Sequence, residues 1–138
     1  MIRFVIGPDV ALRLAEQRTA VAPHHKLLAP TLLRSQVLAR LYEAVRHGKL
    51  DRGDADRQLD HIRGLRIRLL GDRVLQRVAW RIADRLGWPD TYAAEYVALT
   101  ELQADAFVTL DPALAREVAG LVSLASIDDL LEGGRFSP

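Results

Sequence analysis

Along the chain, short unbroken apolar runs alternate with longer stretches in which apolar residues recur every three or four positions. Runs of the first kind suit buried strands and stretches of the second suit amphipathic helices. Phe4-Val5-Ile6 is aromatic and β-branched and stops at Gly7-Pro8, which predicts a strand turning into a short helix from Asp9 to about Glu16. "KLLAP" predicts a second strand. In "TLLRSQVLARLYEAVRHG" the residues Leu33, Val37, Leu38, Leu41 and Val45 fall at helical spacing, with Gly48 as the C′ stop. "DRGDADRQLDHIRGL" predicts a further helix whose early acids complement its dipole. "RIRLLG" predicts a third strand, and "DRVLQRVAWRIADRLG" a helix with Val74, Val78, Ile82 and Leu86 on one face and Gly87 at its end. "PDTYAAEYVALTELQ" opens another helix, "DAFVTLD" is a fourth strand, "PALAREVAG" a short helix, and "LVSLA" a fifth strand leading into "SIDDLLEGG".

Strands alternating with helices imply βαβ units. The expectation is a single α/β domain with a central, mostly parallel five-stranded sheet flanked by helices, and with ligands at the carboxyl ends of the strands. That domain is expected to span residues 1–132, leaving 133–138 as a frayed tail. A chain of 138 residues buries one core without staples. It has no cysteine, which excludes disulfides, zinc-thiolate sites and cysteine nucleophiles, so a metal would have to be held by oxygen or imidazole. No run is long enough for a signal peptide's apolar region or a membrane span, and the expected location is the cytoplasm, away from membranes. The net charge of +1 gives no whole-chain attraction for nucleic acid. All but Lys26 and Lys49 of the 19 basic residues are Arg, which suits phosphate or carboxylate recognition and also fits a GC-rich coding sequence.

The carboxyl ends of the first and fourth strands carry Asp9 and Asp111. With this order of elements, "FVIGPDVAL", "LLAPTLLRSQVLARLYEAVRHGKL" and "YAAEYVALTELQADAFVTLD" together resemble the PIN domain family, and within it the VapC-type toxins of toxin–antitoxin pairs. The resemblance covers almost the whole chain, and the last segment is its most specific part. It implies an endoribonuclease that uses Mg²⁺ or Mn²⁺ held by three or four clustered carboxylates, a cognate antitoxin as protein partner, and a homodimer. Such an ion takes hard oxygen ligands, activates water and neutralises charge building on the phosphate.

In the register set by "VALRLA", the family's first acid falls on Gly7, with Asp9 displaced by two residues. The second falls on Gln36 and the third on Ala93, while the fourth is matched by Asp111. A rebuilt site would combine Asp9, Asp90 and Asp111 as metal ligands, with Gln36 positioning water. Asp90 lies three residues before Ala93 on the same helix face, whereas Glu95, two residues on, should face away. Each acid also has a structural explanation. Asp111 precedes Pro112, Asp90 follows Pro89 and Asp9 follows Pro8, all at helix starts that favour a capping oxygen.

Two functions of different class follow. One is a divalent-metal-dependent endoribonuclease with a rearranged site. The other is a PIN-like protein without catalysis that binds an antitoxin-like partner or RNA. Beyond these residues, Arg73, Arg77, Arg81 and Arg85 follow one another at four-residue spacing opposite the apolar stripe, as an RNA-facing or a solvated row partnered by Asp72 and Asp84. His24-His25 forms a loop pair, Trp80 and Trp88 read as packing or interface residues, and the apolar "LLRSQVLARLYEAV" helix serves a core or a second subunit.

Overall fold

The computed structural model describes residues 1–137; Pro138, part of the expected tail, lies outside the described residues. The chain runs β1 (Ile2–Ile6), α1 (Pro8–Glu16), β2 (His25–Pro30), α2 (Leu32–Arg46), α3 (Arg52–Gly64), β3 (Arg68–Leu70), α4 (Arg73–Leu86), α5 (Tyr92–Gln103), β4 (Ala106–Val108), α6 (Pro112–Val118) and β5 (Leu124–Ala125), and closes with a 3-10 turn, Ile127–Leu130. The strands form one sheet in the order β3-β2-β1-β4-β5, and every neighbouring pair is parallel. This is the α/β architecture the apolar pattern predicts.

β1 lies at the centre, between β2 and β4. Its Phe4, Val5 and Ile6 are fully buried, because a parallel strand covered on both faces has no polar side to alternate with. α5 packs against β1, β2, β4 and α4, and buries Ala94 and every residue from Tyr96 to Thr100. A helix with so little amphipathic contrast belongs in the interior. Its one buried polar side chain, Thr100, donates its hydroxyl to the Tyr96 carbonyl at 2.8 Å.

Two helices differ from expectation in the face they bury. On α4 the buried stripe is Leu75, Val78, Ala79, Ile82 and Ala83, while Val74 stays 51% exposed and Leu86 is half-buried. Four-residue steps drift by about 40° per step around a helix of 3.6 residues per turn, so a stripe built on steps of four leaves the face that packs on α5, whereas alternating threes and fours stay on it. On α2 the buried residues are Leu33, Val37 and Leu41, and Leu38, next to Val37 in sequence, is turned about 100° away and stays exposed.

The stops are as read. Gly48 and Gly87 take left-handed backbone at φ 70° and 67°, which glycine adopts without strain. Asp72 caps α4 by accepting the Leu75 N–H at 2.9 Å, so its carboxylate serves the helix start rather than the arginine row. β4 is shorter than "DAFVTLD" suggests, since Asp105 pairs with the Arg3 backbone and Thr109-Leu110-Asp111 leave the sheet as a loop. Residues 133–137 carry no regular secondary structure, and the Phe136 ring lies edge-on against Phe4 with centroids 5.5 Å apart.

Candidate functional site

In an open parallel sheet the strands' carboxyl ends form the crevice where ligands bind, and β1 and β4 meet there side by side. Their register pairs Ile6 with Val108, and the Gly7 N–H continues it by donating to the Val108 carbonyl at 3.1 Å. Gly7 then serves as N-cap of α1, with Pro8 at the first helical position.

Asp9, in the first turn of α1, sends its carboxylate back over this strand end. Oδ1 accepts the Val10 N–H at 2.9 Å, and Oδ2 accepts the Leu110 N–H at 2.8 Å and the Thr109 hydroxyl at 3.1 Å. A Cβ placed on Gly7 would stand 2.6 Å from Asp9 Oδ1, inside contact distance. The Asp9 carboxylate thus fills the space that a side chain at position 7 would take. Any larger residue at position 7 would have to push Asp9 aside.

Asp111 is the N-cap of α6. Its Oδ1 accepts the Ala113 and Leu114 N–H groups at 3.0 and 3.2 Å, and the side chain is exposed. Thr109 joins the two acids: its Oγ1 donates to Asp9 and accepts the Asp111 N–H at 3.2 Å. Asp90 stands apart from this link. Its Oδ1 accepts the Tyr92 N–H at 3.2 Å, an Asx turn ahead of α5, and no hydrogen bond connects it to Asp9, Asp111 or Gln36.

Gln36, half-buried on α2, accepts the Tyr96 hydroxyl at 2.6 Å through Oε1. Burial pushes this hydroxyl well above the ordinary tyrosine range; Arg40 opposes the rise, and the Glu95 and Asp9 carboxylates add to it. Tyr96 and its charged neighbours are the part that sequence reading missed. Gln36 and Arg40 lie four apart on α2 and therefore share a face, a signal that was present in the pattern. Glu95, expected to face away, is half-buried, and its charge reaches Tyr96; burial raises its own pKa.

Among the described residues no group of three or more His, Asp or Glu could hold a metal ion. Asp9, Asp90 and Asp111 are therefore not gathered into one ligand set, and the residues present do not fit the carboxylate-rich shell that Mg²⁺ or Mn²⁺ needs. The geometric reason is plain. Three carboxylate oxygens are turned onto backbone N–H groups and one amide oxygen onto Tyr96, so each group already has partners within the fold.

The other candidates are placed as follows. His24 and His25 lie with ring centroids 4.2 Å apart, and His25 packs edge-on against Phe4. Trp88 donates its indole N–H to Glu117 at 3.0 Å, whereas Trp80 is 73% exposed on α4. Of the arginine row, Arg81 pairs with Glu101 on α5 at 3.1 Å. No helix among the described residues is long and apolar enough to cross a membrane.

The architecture is that of a single-domain α/β protein with a PIN-like fold. Among solved structures the chain is similar to PAE2754 from Pyrobaculum aerophilum, with a TM-score of 0.77 and 21% identity over 96% of this chain and 94% of that one. It is also similar to VapBC2 from Rickettsia felis bound to a DNA fragment from their promoter, with a TM-score of 0.58 and 13% identity over 91% of this chain and 98% of that one. At these identities the likeness carries the fold. No protein-family model matches the chain, and no curated protein does.

Proposed function

We propose that this is a VapC-type PIN protein, acting in the cytoplasm, whose carboxylate site has eroded and whose role is to bind an antitoxin-like protein rather than to cleave RNA. The single observation that carries this reading is the Asp9 carboxylate, which occupies the space left by Gly7 and is held there by Val10, Thr109 and Leu110. With Gln36 and Ala93 at the other two positions, the negative charge that would draw a divalent cation is largely gone. VapBC2 among the similar structures supports a place in a toxin–antitoxin pair.

Two surfaces suit a protein partner. Leu38 and Tyr42 stand four apart on α2 and are 57% and 64% exposed, an apolar strip that can seat a partner or a second copy. Beside it a half-open groove of about 860 Å³ between α2, α3 and β3 is lined by apolar side chains such as Leu33, Val37, Leu59 and Ile62, with Arg34 and Arg66 also on its wall.

One observation favours the catalytic reading. Thr109 links Asp9 to Asp111, so that a shift of the α6 cap would free the Asp111 carboxylate for Mg²⁺ or Mn²⁺ in the same loop that holds Asp9. Cleavage of a fluorogenic single-stranded RNA pool with Mn²⁺ separates the two. Wild type and Asp111→Ala, purified identically, should show equal background. Metal-dependent cleavage that the substitution abolishes would overturn the proposal in favour of a rearranged endoribonuclease.

A further inference from the structure

At the amino end of the sheet, the second residues of β1 and β2, Arg3 and Lys26, lie in direct register. Parallel neighbours lie about 4.8 Å apart, so the two cationic side chains leave the same face side by side, an arrangement that destabilises a sheet unless a counter-charge accompanies it. Arg68 pairs with Leu28, which shares the Lys26 face, and so adds a third cation along the same surface. Arg66, two residues earlier, is held at φ 55°, left-handed backbone that side-chain-bearing residues seldom adopt.

These four cations line one pocket of about 500 Å³ together with His25 and apolar residues such as Leu65, and no Asp or Glu lines it. None of the four takes part in an ion pair among the described residues. The neighbouring acid, Asp105, turns its carboxylate onto the Arg3 backbone N–H at 2.8 Å.

From this geometry we infer that the amino-terminal edge of the sheet is a binding site for a small anion carrying several phosphate groups. Guanidinium forks match phosphate oxygens two at a time, and Lys26 adds a compact point charge beside them. The pocket is of the size that holds small ligands, and its cations are gathered within it instead of extending as a track for a long strand. The ligand's chemistry is that of a free polyphosphate or nucleotide; the phosphodiester backbone of RNA is the competing source.

Inorganic tripolyphosphate, titrated in EDTA so that no metal intervenes, tests the inference alongside a short single-stranded oligonucleotide. Tripolyphosphate should raise the Tm of the wild type, and its affinity should fall about tenfold for each cation removed at low salt, with the loss shrinking as salt screens the site. The double variant Arg3→Thr/Lys26→Thr should melt higher than wild type without ligand, because the opposed like charges are gone, and should lose the tripolyphosphate shift. Arg66→Asn keeps a residue that tolerates left-handed backbone and should bind more weakly with an unchanged fold. Equal tripolyphosphate responses in wild type and variants, or none in any, would overturn the site. Oligonucleotide binding lost in the variants, with no tripolyphosphate effect, would overturn the small-ligand assignment and give this edge to nucleic acid.

Discussion

The two ends of the same sheet treat charge in opposite ways. At the carboxyl end, Asp9, Asp111 and Gln36 all have partners inside the fold: backbone N–H groups, the Thr109 hydroxyl and the Tyr96 hydroxyl. At the amino end, Arg3, Lys26, Arg66 and Arg68 share a pocket with no carboxylate on its wall. A polar group bound by its own fold contributes to stability and is poorly available to a ligand, whereas unpaired like charges held together cost stability until something neutralises them. On the function proposed above, the crevice where this topology places ligands serves the fold, and the inferred anion site lies at the other end.

The largest effect that would sharpen this contrast is expected from Asp9→Ala. It strands the Leu110 and Val10 N–H groups and opens the space beside Gly7, and should cost about 2–3 kcal/mol in urea unfolding. A loss below about 0.5 kcal/mol would show that the carboxylate is not structural. Tyr96→Phe removes the hydroxyl that Gln36 accepts and should cost about 1 kcal/mol by the same assay, with the Tyr96→Phe/Gln36→Leu double variant recovering part of it because the orphaned amide is then gone too. Asp111→Ala removes the cap of a short helix and should also cost up to about 1 kcal/mol.

The smallest effect concerns Glu95 and depends on pH. Burial raises its folded pKa, so the folded state favours the protonated form; that contribution is complete below the ordinary glutamate value of 4.5 and is lost as pH rises through the raised folded value. Glu95→Gln should therefore raise the Tm slightly at pH 7 and leave it unchanged at pH 3. A gain of equal size at both pH values would place the cause in packing and not in ionisation.

The alternation of apolar runs and amphipathic stretches made the strands, the helices and their parallel arrangement legible, because period and stop residues are local properties. Gly48 and Gly87 could be read for the same reason. The buried face of α4 was misjudged through an angular drift that only the position of α5 resolves, and Val74 faces solvent as a result. At the site, the capping of Asp111 was one of two open readings and is the one the hydrogen bonds display. Two of the three partners of Asp9, Thr109 and Leu110, lie about a hundred residues away in the β4–α6 loop, and the Gln36–Tyr96 bond spans 60 residues, so neither could be read from spacing along the chain. The cationic pocket was hidden for a related reason: Arg3, Lys26, Arg66 and Arg68 become neighbours only once the strands are in register.

The most direct test of the structural role of the carboxyl end is thermal unfolding of the wild type across a Mn²⁺ titration, with Asp111→Ala in parallel. An ion bound only by the folded state at a hundred times its Kd adds about 2.7 kcal/mol and must raise the Tm. The prediction is no shift in either protein up to millimolar Mn²⁺. A rise that grows with Mn²⁺ concentration and disappears in Asp111→Ala would contradict it, and would return Asp9 and Asp111 to metal chemistry.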